Sequence, residues 1–507
     1  MRTFYSLKTL YVLIILIFFA FSWKSFQSHI FNIHFVDEDE NIVAGYYMAR
    51  GEKLYSDIFS HKQPLPAITS MALQKTVDPP NLFMLMKRHR EIVFFYSIIW
   101  SLIFIWVFGI PGFIYSISIE IIKPFLLGNL FLGESLAIFP AVYIMGFFWK
   151  LLRREKYIHR LEKTIFIASL GLLLFLLFTL IPYLILSTIV ILIFSKSRRK
   201  YILSIISFIL LLFICTIPFV NYLKYFANTV LALQTLYLKD TAGAGLWTII
   251  TNSFFRPIIA LTSVDNSDFA RLIKIISATY IISFIYLFLV KKQVRKFLII
   301  SLILLGISST RLIVPTTALY DGFHGLPWLA LILFLSILYL WEIWQTKLIM
   351  KFLVIILMGY IGLSGRFMVT DYYQKVDRER DFYINFSPYR DFGEIIKQRA
   401  KPTDTLIVLP INQLIYWQSG LRHATRFLYG YEWLFVNPSI RQEIKNSINK
   451  ESPVFIYYDR AIMGKDAWSI FDKYVDSYTR YKQGDTQTPL FIRKDRFNNI
   501  ISDTKNE

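Results

Sequence analysis

Residues 10–40 read LYVLIILIFFAFSWKSFQSHIFNIHFVDEDE, an apolar run followed shortly by four consecutive carboxylates. After the apolar stretch Leu10 to Phe21 come Trp23 and Lys24, with no small-residue cleavage site. We therefore predict a retained membrane anchor and not a signal peptide. Four acids at a lipid boundary repel one another and are poorly hydrated, so their charged forms are unfavourable there. The cluster is costly enough to suggest a function.

Most of the remaining chain is also apolar. Of its 507 residues, 55% are hydrophobic and 17% aromatic, and the mean hydropathy of +0.47 exceeds that of ordinary soluble domains. Runs long enough to span about 30 Å of hydrocarbon predict about eleven membrane helices. We place them near 9–26, 91–108, 112–128, 134–151, 164–179, 181–195, 201–220, 271–290, 296–314, 326–343 and 348–364. The single cysteine, Cys215, lies in one of these runs and excludes a disulfide framework.

The positive charge follows the membrane helices. The formal net charge is +20, but from Tyr373 onward 21 basic residues face 17 acidic ones, so most of the excess lies in the hydrophobic part. This distribution is typical of cytoplasmic loops and argues against a nucleic-acid partner. If the basic clusters near 150–160, 196–200 and 291–296 are cytoplasmic, an odd number of spans leaves the N-terminus inside and the C-terminus outside. We predict a multi-pass protein of the cell (plasma) membrane.

This topology places three segments on the outer face: 27–90, 221–270 and everything from about 366. In the last segment, β-like runs after Asp404 and Pro453 flank a helical pattern from Ile440 to Ile448, which predicts a small α/β domain. The predicted fold is thus an α-helical polytopic membrane protein. Residues 1–365 would form the membrane domain and residues 366–507 an extracytoplasmic α/β domain.

The first outer segment carries the most distinctive chemistry. Its acids precede a predicted helix, Ile42 to Arg50, where backbone N–H groups favour negative charge, so an ordinary acidic helix start is one explanation. The segment then returns basic groups at His61 and Lys62, before a second predicted helix, Leu65 to Gln74. Carboxylates facing a His-Lys pair would suit a general base beside a cationic clamp for a leaving group.

These residues resemble the first outer loop of the GT-C glycosyltransferases, such as the protein O-mannosyltransferases and the aminoarabinose transferases. The resemblance consists of an Asp-Glu pair after the first span, a Gly-x-x-x-Tyr-x-Asp segment at 51–57 and a His-Lys-x-Pro-Leu turn at 61–65. It extends more weakly to Gly133-Glu134, to Asp-Gly-Phe-His at 321–324 and to the C-terminal segment 404–427.

The resemblance implies an inverting sugar transfer from a polyprenyl-phosphate donor to a lipid, glycan or protein acceptor. A loop-one aspartate would be the general base, and the register from Gly51 and Asp57 favours Asp37, with Asp39 as the alternative. Glu38 and Glu134 are the other candidate catalytic acids. The candidates for donor-phosphate binding are Arg311, His324, Lys62 and His61, and those for substrate binding are Asp57, Tyr55 and Arg256. Three of these candidates also have ordinary structural explanations. Arg311 would be a snorkelling arginine at the membrane interface, and Glu134 and His324 would be polar residues at helix starts.

A cofactor is not indicated by any motif. The histidines lack metal-ligand spacing, so a divalent cation would need carboxylates from separate segments, such as Asp37, Asp39 and Glu134. Two other classes remain open: a transporter or flippase of lipid-linked glycans, and a non-catalytic membrane assembly factor. Transporters usually place functional charges near mid-membrane and have repeated halves, whereas here the acids cluster at the predicted outer interface.

Overall fold

The structure is a computed structural model. It describes residues 2–153, 158–232, 246–264, 267–308, 322–345, 376–430, 437–459, 476–483 and 486–497, together with Leu434 and Tyr474. The chain forms two compact units. The helical unit comprises Met1–Ile30, Arg90–Cys215 and Gly243–Val376, and the mixed unit comprises Phe31–His89, Thr216–Ala242 and Asp377–Glu507. The structure differs from the predicted division at 365/366. Residues of the first outer segment belong to the same unit as the C-terminal residues, and this unit resumes at Asp377.

The helical unit is built from apolar helices. Two of them, Leu82–Phe108 and Arg198–Thr216, continue across a unit boundary. The bounds of all of them are Arg2–His29, Leu82–Phe108, Ile110–Ile122, Gly133–Leu152, Arg160–Leu176, Ile181–Phe194, Arg198–Thr216, Leu246–Phe254, Arg256–Thr262, Asp268–Val290, Arg295–Ser308 and Leu326–Trp344. The helix Leu326–Trp344 is buried along almost its whole length, as is Gly133–Leu152, so these two form the centre of the unit.

Six of the described helices are long and apolar enough to cross a membrane. They are Lys8–His29, Leu82–Phe108, Gly133–Leu152, Arg198–Thr216, Phe269–Val290 and Phe323–Trp344. This confirms a helical membrane protein but not the predicted count of about eleven full-length spans.

The shortfall has a physical cause. The predicted spans near 112–128, 164–179 and 181–195 correspond to described helices of only 13 to 17 residues. At about 1.5 Å per residue, even the longest of these is shorter than the hydrocarbon core. A helix begins at Ile181 after the break at residues 177–180, with Pro182 in its first turn. The predicted span at 348–364 lies outside the described residues.

The mixed unit combines helices with a five-stranded sheet. Its helices are Val36–Ala49, Pro64–Val77, Tyr222–Ala232, Arg378–Arg399, Leu414–Ser419 and Pro438–Glu451. The strands are β1 (Thr405–Leu409), β2 (Arg422–His423), β3 (Phe455–Tyr458), β4 (Tyr478–Gln483) and β5 (Thr486–Arg493). Both helices predicted in the first outer segment are present, and so are the predicted C-terminal α/β elements. The first helix begins at Val36, six residues before the predicted Ile42, so the acids predicted to precede it lie in its first turn.

The sheet has the order β2-β1-β3-β5-β4. Strand β1 pairs in parallel with β2 and with β3, whereas β5 runs antiparallel to β3 and to β4. All five residues of β1 and all four of β3 are buried, which agrees with their continuous apolar sequences.

The two loop-one helices pack tightly against each other. A Cβ atom at Gly45 would lie 2.4 Å from the Ser70 side-chain oxygen, so only glycine allows this approach. Trp417, beyond β1, donates a hydrogen bond of 3.0 Å to the Gln74 side chain, while Tyr47 donates one of 2.8 Å to the Leu421 carbonyl. The acidic helix is thereby anchored to the C-terminal part of the mixed unit.

Candidate active site

The acidic cluster lies at the start of the helix Val36–Ala49. Phe35 is extended, and Asp37, Glu38 and Asp39 occupy the first helical turn, where the unpaired N–H groups and the helix dipole favour carboxylates. Successive residues of a helix point in different directions, so the four acids have different surroundings. Asp37 is 24% exposed, whereas Glu38 and Asp39 are fully buried and Glu40 is nearly so.

Lys62 binds the two acids on one side of this helix. Its Nζ donates to Asp37 Oδ1 at 2.5 Å and to the Asp37 carbonyl at 3.2 Å, and it lies 2.9 Å from Glu40 Oε2. Residues three apart share a helix face, which explains why a single ammonium reaches both carboxylates. The predicted juxtaposition of loop-one acids and Lys62 is therefore present in the structure.

The same contacts keep Lys62 charged. Its partial burial by itself would lower the pKa of the ammonium, but the charges of Asp37 and then Glu40, with their hydrogen bonds, more than offset this. The pKa of Lys62 is consequently raised above its ordinary value. The site thus holds a permanent cation directly beside its most exposed carboxylate.

Two of the predicted substrate-binding residues instead shape the turn that carries Lys62. Tyr55 is fully buried, and its hydroxyl donates to the Lys62 carbonyl at 2.7 Å. Asp57 accepts a hydrogen bond of 2.9 Å from the Lys53 amide and closes the turn before it. Both side chains position Lys62 in this conformation. Tyr55 has no exposed surface with which to contact a substrate.

His34 and Tyr389 continue the cluster from Asp39. His34 Nε2 lies 2.7 Å from Asp39 Oδ2, and its Nδ1 lies 3.1 Å from the Tyr389 hydroxyl. These contacts match an imidazole that donates to Asp39 and accepts from Tyr389. Burial, and after it the charge of Asp39, raises the pKa of Tyr389, so its hydroxyl stays protonated.

His34, Glu40 and Tyr389 are not among the site residues that the sequence predicts. The position of His34 five residues before Asp39 was a visible signal, and so was the i,i+3 spacing of Asp37 and Glu40. Nothing in the sequence connects Tyr389, which lies more than 300 residues away in the helix Arg378–Arg399.

His61 directly precedes Lys62 in the same turn. Its Nδ1 is 3.3 Å from the Tyr429 hydroxyl, and the imidazole is partly exposed. The adjacent residues of the predicted His-Lys pair therefore contact different groups, with Lys62 facing the acids and His61 facing a tyrosine of the C-terminal segment.

The remaining described candidates belong to the helical unit. Glu134, in the first turn of Gly133–Leu152, has its Oε1 3.3 Å from His324 Nδ1. The Arg256 guanidinium lies 5.1 Å from the centre of the Trp328 ring, and burial lowers its pKa to about 10. Arg311 lies outside the described residues, as does Asp321.

The described donor groups do not fit a resident divalent cation. Within the described ranges there is no group of three or more His, Cys, Asp or Glu side chains that could hold a metal ion. Asp37 is engaged by Lys62, and Asp39 by His34.

Comparison with known proteins adds no assignment: no protein-family model matches the chain, and neither does any curated protein. The resemblance to GT-C enzymes therefore rests on the sequence motifs, chiefly those of the first outer segment at residues 37–38, 51–57 and 61–65.

Proposed function

We propose that this protein is an integral-membrane glycosyltransferase. It would transfer a sugar from a polyprenyl-phosphate donor to an acceptor hydroxyl on the extracytoplasmic face, with inversion and with Asp37 as the general base. The observation that carries the proposal is the partly exposed Asp37 carboxylate held 2.5 Å from the permanently charged Lys62. Such a pair offers a proton acceptor beside a cation for a phosphate leaving group.

The exposure of the two aspartates supports Asp37 over Asp39. A general base must come within hydrogen-bonding distance of the proton that it takes. Asp37 has about a quarter of its side chain exposed, whereas Asp39 is fully buried and is directed toward His34. We therefore assign Asp39 and His34 a positioning role for the acidic helix.

The proposed step uses both partners of the ion pair. The acceptor oxygen attacks the anomeric carbon, forming the new glycosidic bond as the bond from that carbon to the phosphate oxygen breaks. The acceptor proton passes to the Asp37 carboxylate, and the electron pair of the broken bond leaves with polyprenyl phosphate. Lys62, with three N–H donors, can shift from Asp37 to the phosphate as negative charge develops there.

The test supplies membranes containing the protein with radiolabelled polyprenyl-phosphate sugars and follows label in glycosidic linkage. We expect transfer by the wild type and its loss in Asp37→Asn. Transfer that survives in Asp37→Asn would overturn the assignment of Asp37, and transfer that survives in both Asp37→Asn and Asp39→Asn would overturn either aspartate as the base. Translocation of the donor across vesicle membranes without formation of a glycosidic bond would instead favour the transporter.

A further inference from the structure

The helix Tyr222–Ala232 has two chemically different faces. Leu223, Phe226 and Val230 are 85%, 62% and 50% exposed, and their i, i+3, i+7 spacing places them along one side. Large apolar side chains aligned in this way are costly in water, so the face indicates an apolar partner.

The opposite face holds the segment that carries Lys62. Gln63 donates to the Tyr225 hydroxyl at 2.9 Å, and Asn228 donates to the Ser60 carbonyl at 3.2 Å. The ring of Tyr225 also lies 4.9 Å from that of Tyr55, the residue whose hydroxyl binds the Lys62 carbonyl. These contacts tie one side of the helix to residues on both sides of Lys62 in the chain.

Chain connectivity identifies the partner of the exposed face. The helix Arg198–Thr216 is long and apolar enough to cross a bilayer, and only residues 217–221 separate it from Tyr222. Six Cα–Cα steps extend to at most about 20 Å, so the helix begins within that distance of one end of the span. Lys224, exposed beside Leu223, suits an interfacial position, where its stem can lie along apolar groups and its ammonium can reach lipid phosphates.

We propose that the helix Tyr222–Ala232 lies in the membrane interface with Leu223, Phe226 and Val230 among the lipid acyl chains. This lipid contact stands whether or not the protein is a transferase. Its consequence for Lys62 rests on the proposed function: the helix holds the Lys62 turn near the depth of lipid phosphates, where a membrane-anchored donor presents its own phosphate.

The test measures depth and needs no activity. In full-length Cys215→Ser protein reconstituted in phosphatidylcholine–phosphatidylglycerol nanodiscs, a nitroxide is attached at Phe226→Cys and, separately, at Leu223→Cys. The second site guards against local misfolding, because Leu223 is the most exposed side chain of the face. The control is Asn446→Cys, an exposed position of the mixed-unit helix Pro438–Glu451.

Power saturation then compares collisions with oxygen and with a water-soluble nickel chelate. We expect oxygen accessibility to exceed nickel accessibility at least two-fold at both helix positions, and the reverse at Asn446. Nickel accessibility like that of the control would overturn the proposal. Protection from both reagents would also overturn it, since it would indicate a protein partner or a second copy on this face.

Discussion

Lys62 in the mixed unit and Glu342 in the helical unit are each bound by two groups of opposite charge, but with the signs reversed. Lys62 lies within 2.9 Å of two carboxylates, Asp37 and Glu40. Glu342 lies within 2.9 Å of two cations, Lys291 and Arg153, and accepts a further hydrogen bond from Trp149.

The difference separates a structural clamp at Glu342 from the arrangement at Lys62 that we propose to be reactive. Glu342 is almost fully buried, and its partners belong to or directly follow the helices Gly133–Leu152 and Asp268–Val290, so it joins three helices. At Lys62 the acids exceed the cation, and Asp37 keeps an exposed part that a substrate can reach. An exposed carboxylate beside a shared cation can change partners during a reaction, whereas the surroundings of Glu342 favour a single arrangement.

The largest expected effect tests the exposed carboxylate. Asp37→Asn removes the proposed base but keeps the size of the side chain, so transfer should fall by about 10²–10⁴-fold. The measurement is the initial rate of label transfer by equal amounts of folded protein. Asp391→Asn is the matched control, because Asp391 is a 46% exposed carboxylate on the mixed-unit helix Arg378–Arg399 and pairs with its sequence neighbour Arg390. A rate for Asp37→Asn close to that of the control would contradict the assignment.

Removing the cation shared by Asp37 and Glu40 should lower the stability of the protein. Lys62→Met leaves Asp37 and Glu40 without their common partner, so the free energy of unfolding should fall by about 1–3 kcal/mol. In the folded protein the pKa of Lys62 lies above its ordinary value of 10.5, so the stabilisation by Lys62 is fully present below pH 10.5. It is lost as pH rises through the folded pKa.

Thermal unfolding in one detergent between pH 7 and pH 11 measures this difference. We expect the gap between wild type and Lys62→Met to be constant near neutrality and to narrow only at the alkaline end. A gap that already narrows between pH 7 and pH 9 would show that another group is responsible.

Glu342→Gln tests the other side of the comparison. The substitution leaves Lys291 and Arg153 without their carboxylate, and the expected loss of stability is again about 1–3 kcal/mol, since both cations are partly exposed and can regain water. Transfer per folded molecule should stay within about two-fold, because the substitution removes no group from the proposed chemical step. If transfer fell while the unfolding temperature stayed unchanged, Glu342 would have a role in transfer beyond holding the helices together.

The smallest expected effect concerns the buried aspartate. Tyr389→Phe removes the hydroxyl that lies 3.1 Å from His34. The free energy of unfolding should fall by about 1 kcal/mol, and the rate of transfer should fall by at most about ten-fold. Tyr481→Phe, which removes a partly exposed hydroxyl on strand β4, is the control. A loss for Tyr389→Phe as large as that for Asp37→Asn would favour Asp39 and His34 as the catalytic pair.

The sequence predicted the elements of the mixed unit well and the helix count poorly. The acidic start and the turn chemistry around Gln63-Pro64 are local signals. The helix Pro64–Val77 begins one residue from its predicted start, whereas the acidic helix begins at Val36, six residues before the predicted Ile42, so the acids lie within its first turn. Span counting failed for runs such as 112–128, because apolar composition does not report where a helix ends. That run divides into the helix Ile110–Ile122 and a short 3-10 helix from Lys123 to Leu126.

The amino-acid sequence alone specifies the apolar character of the chain, the four adjacent carboxylates and the basic turn beyond them, because composition and local spacing are properties of neighbouring residues. Which acid faces which partner depends on the tertiary fold. The direction of each side chain depends on its angle around the helix and on groups brought from elsewhere, such as Lys62 for Asp37 and Tyr389 for the His34–Asp39 pair. The exposure that singles out Asp37 arises in the same way, since burial is a property of packing and not of sequence.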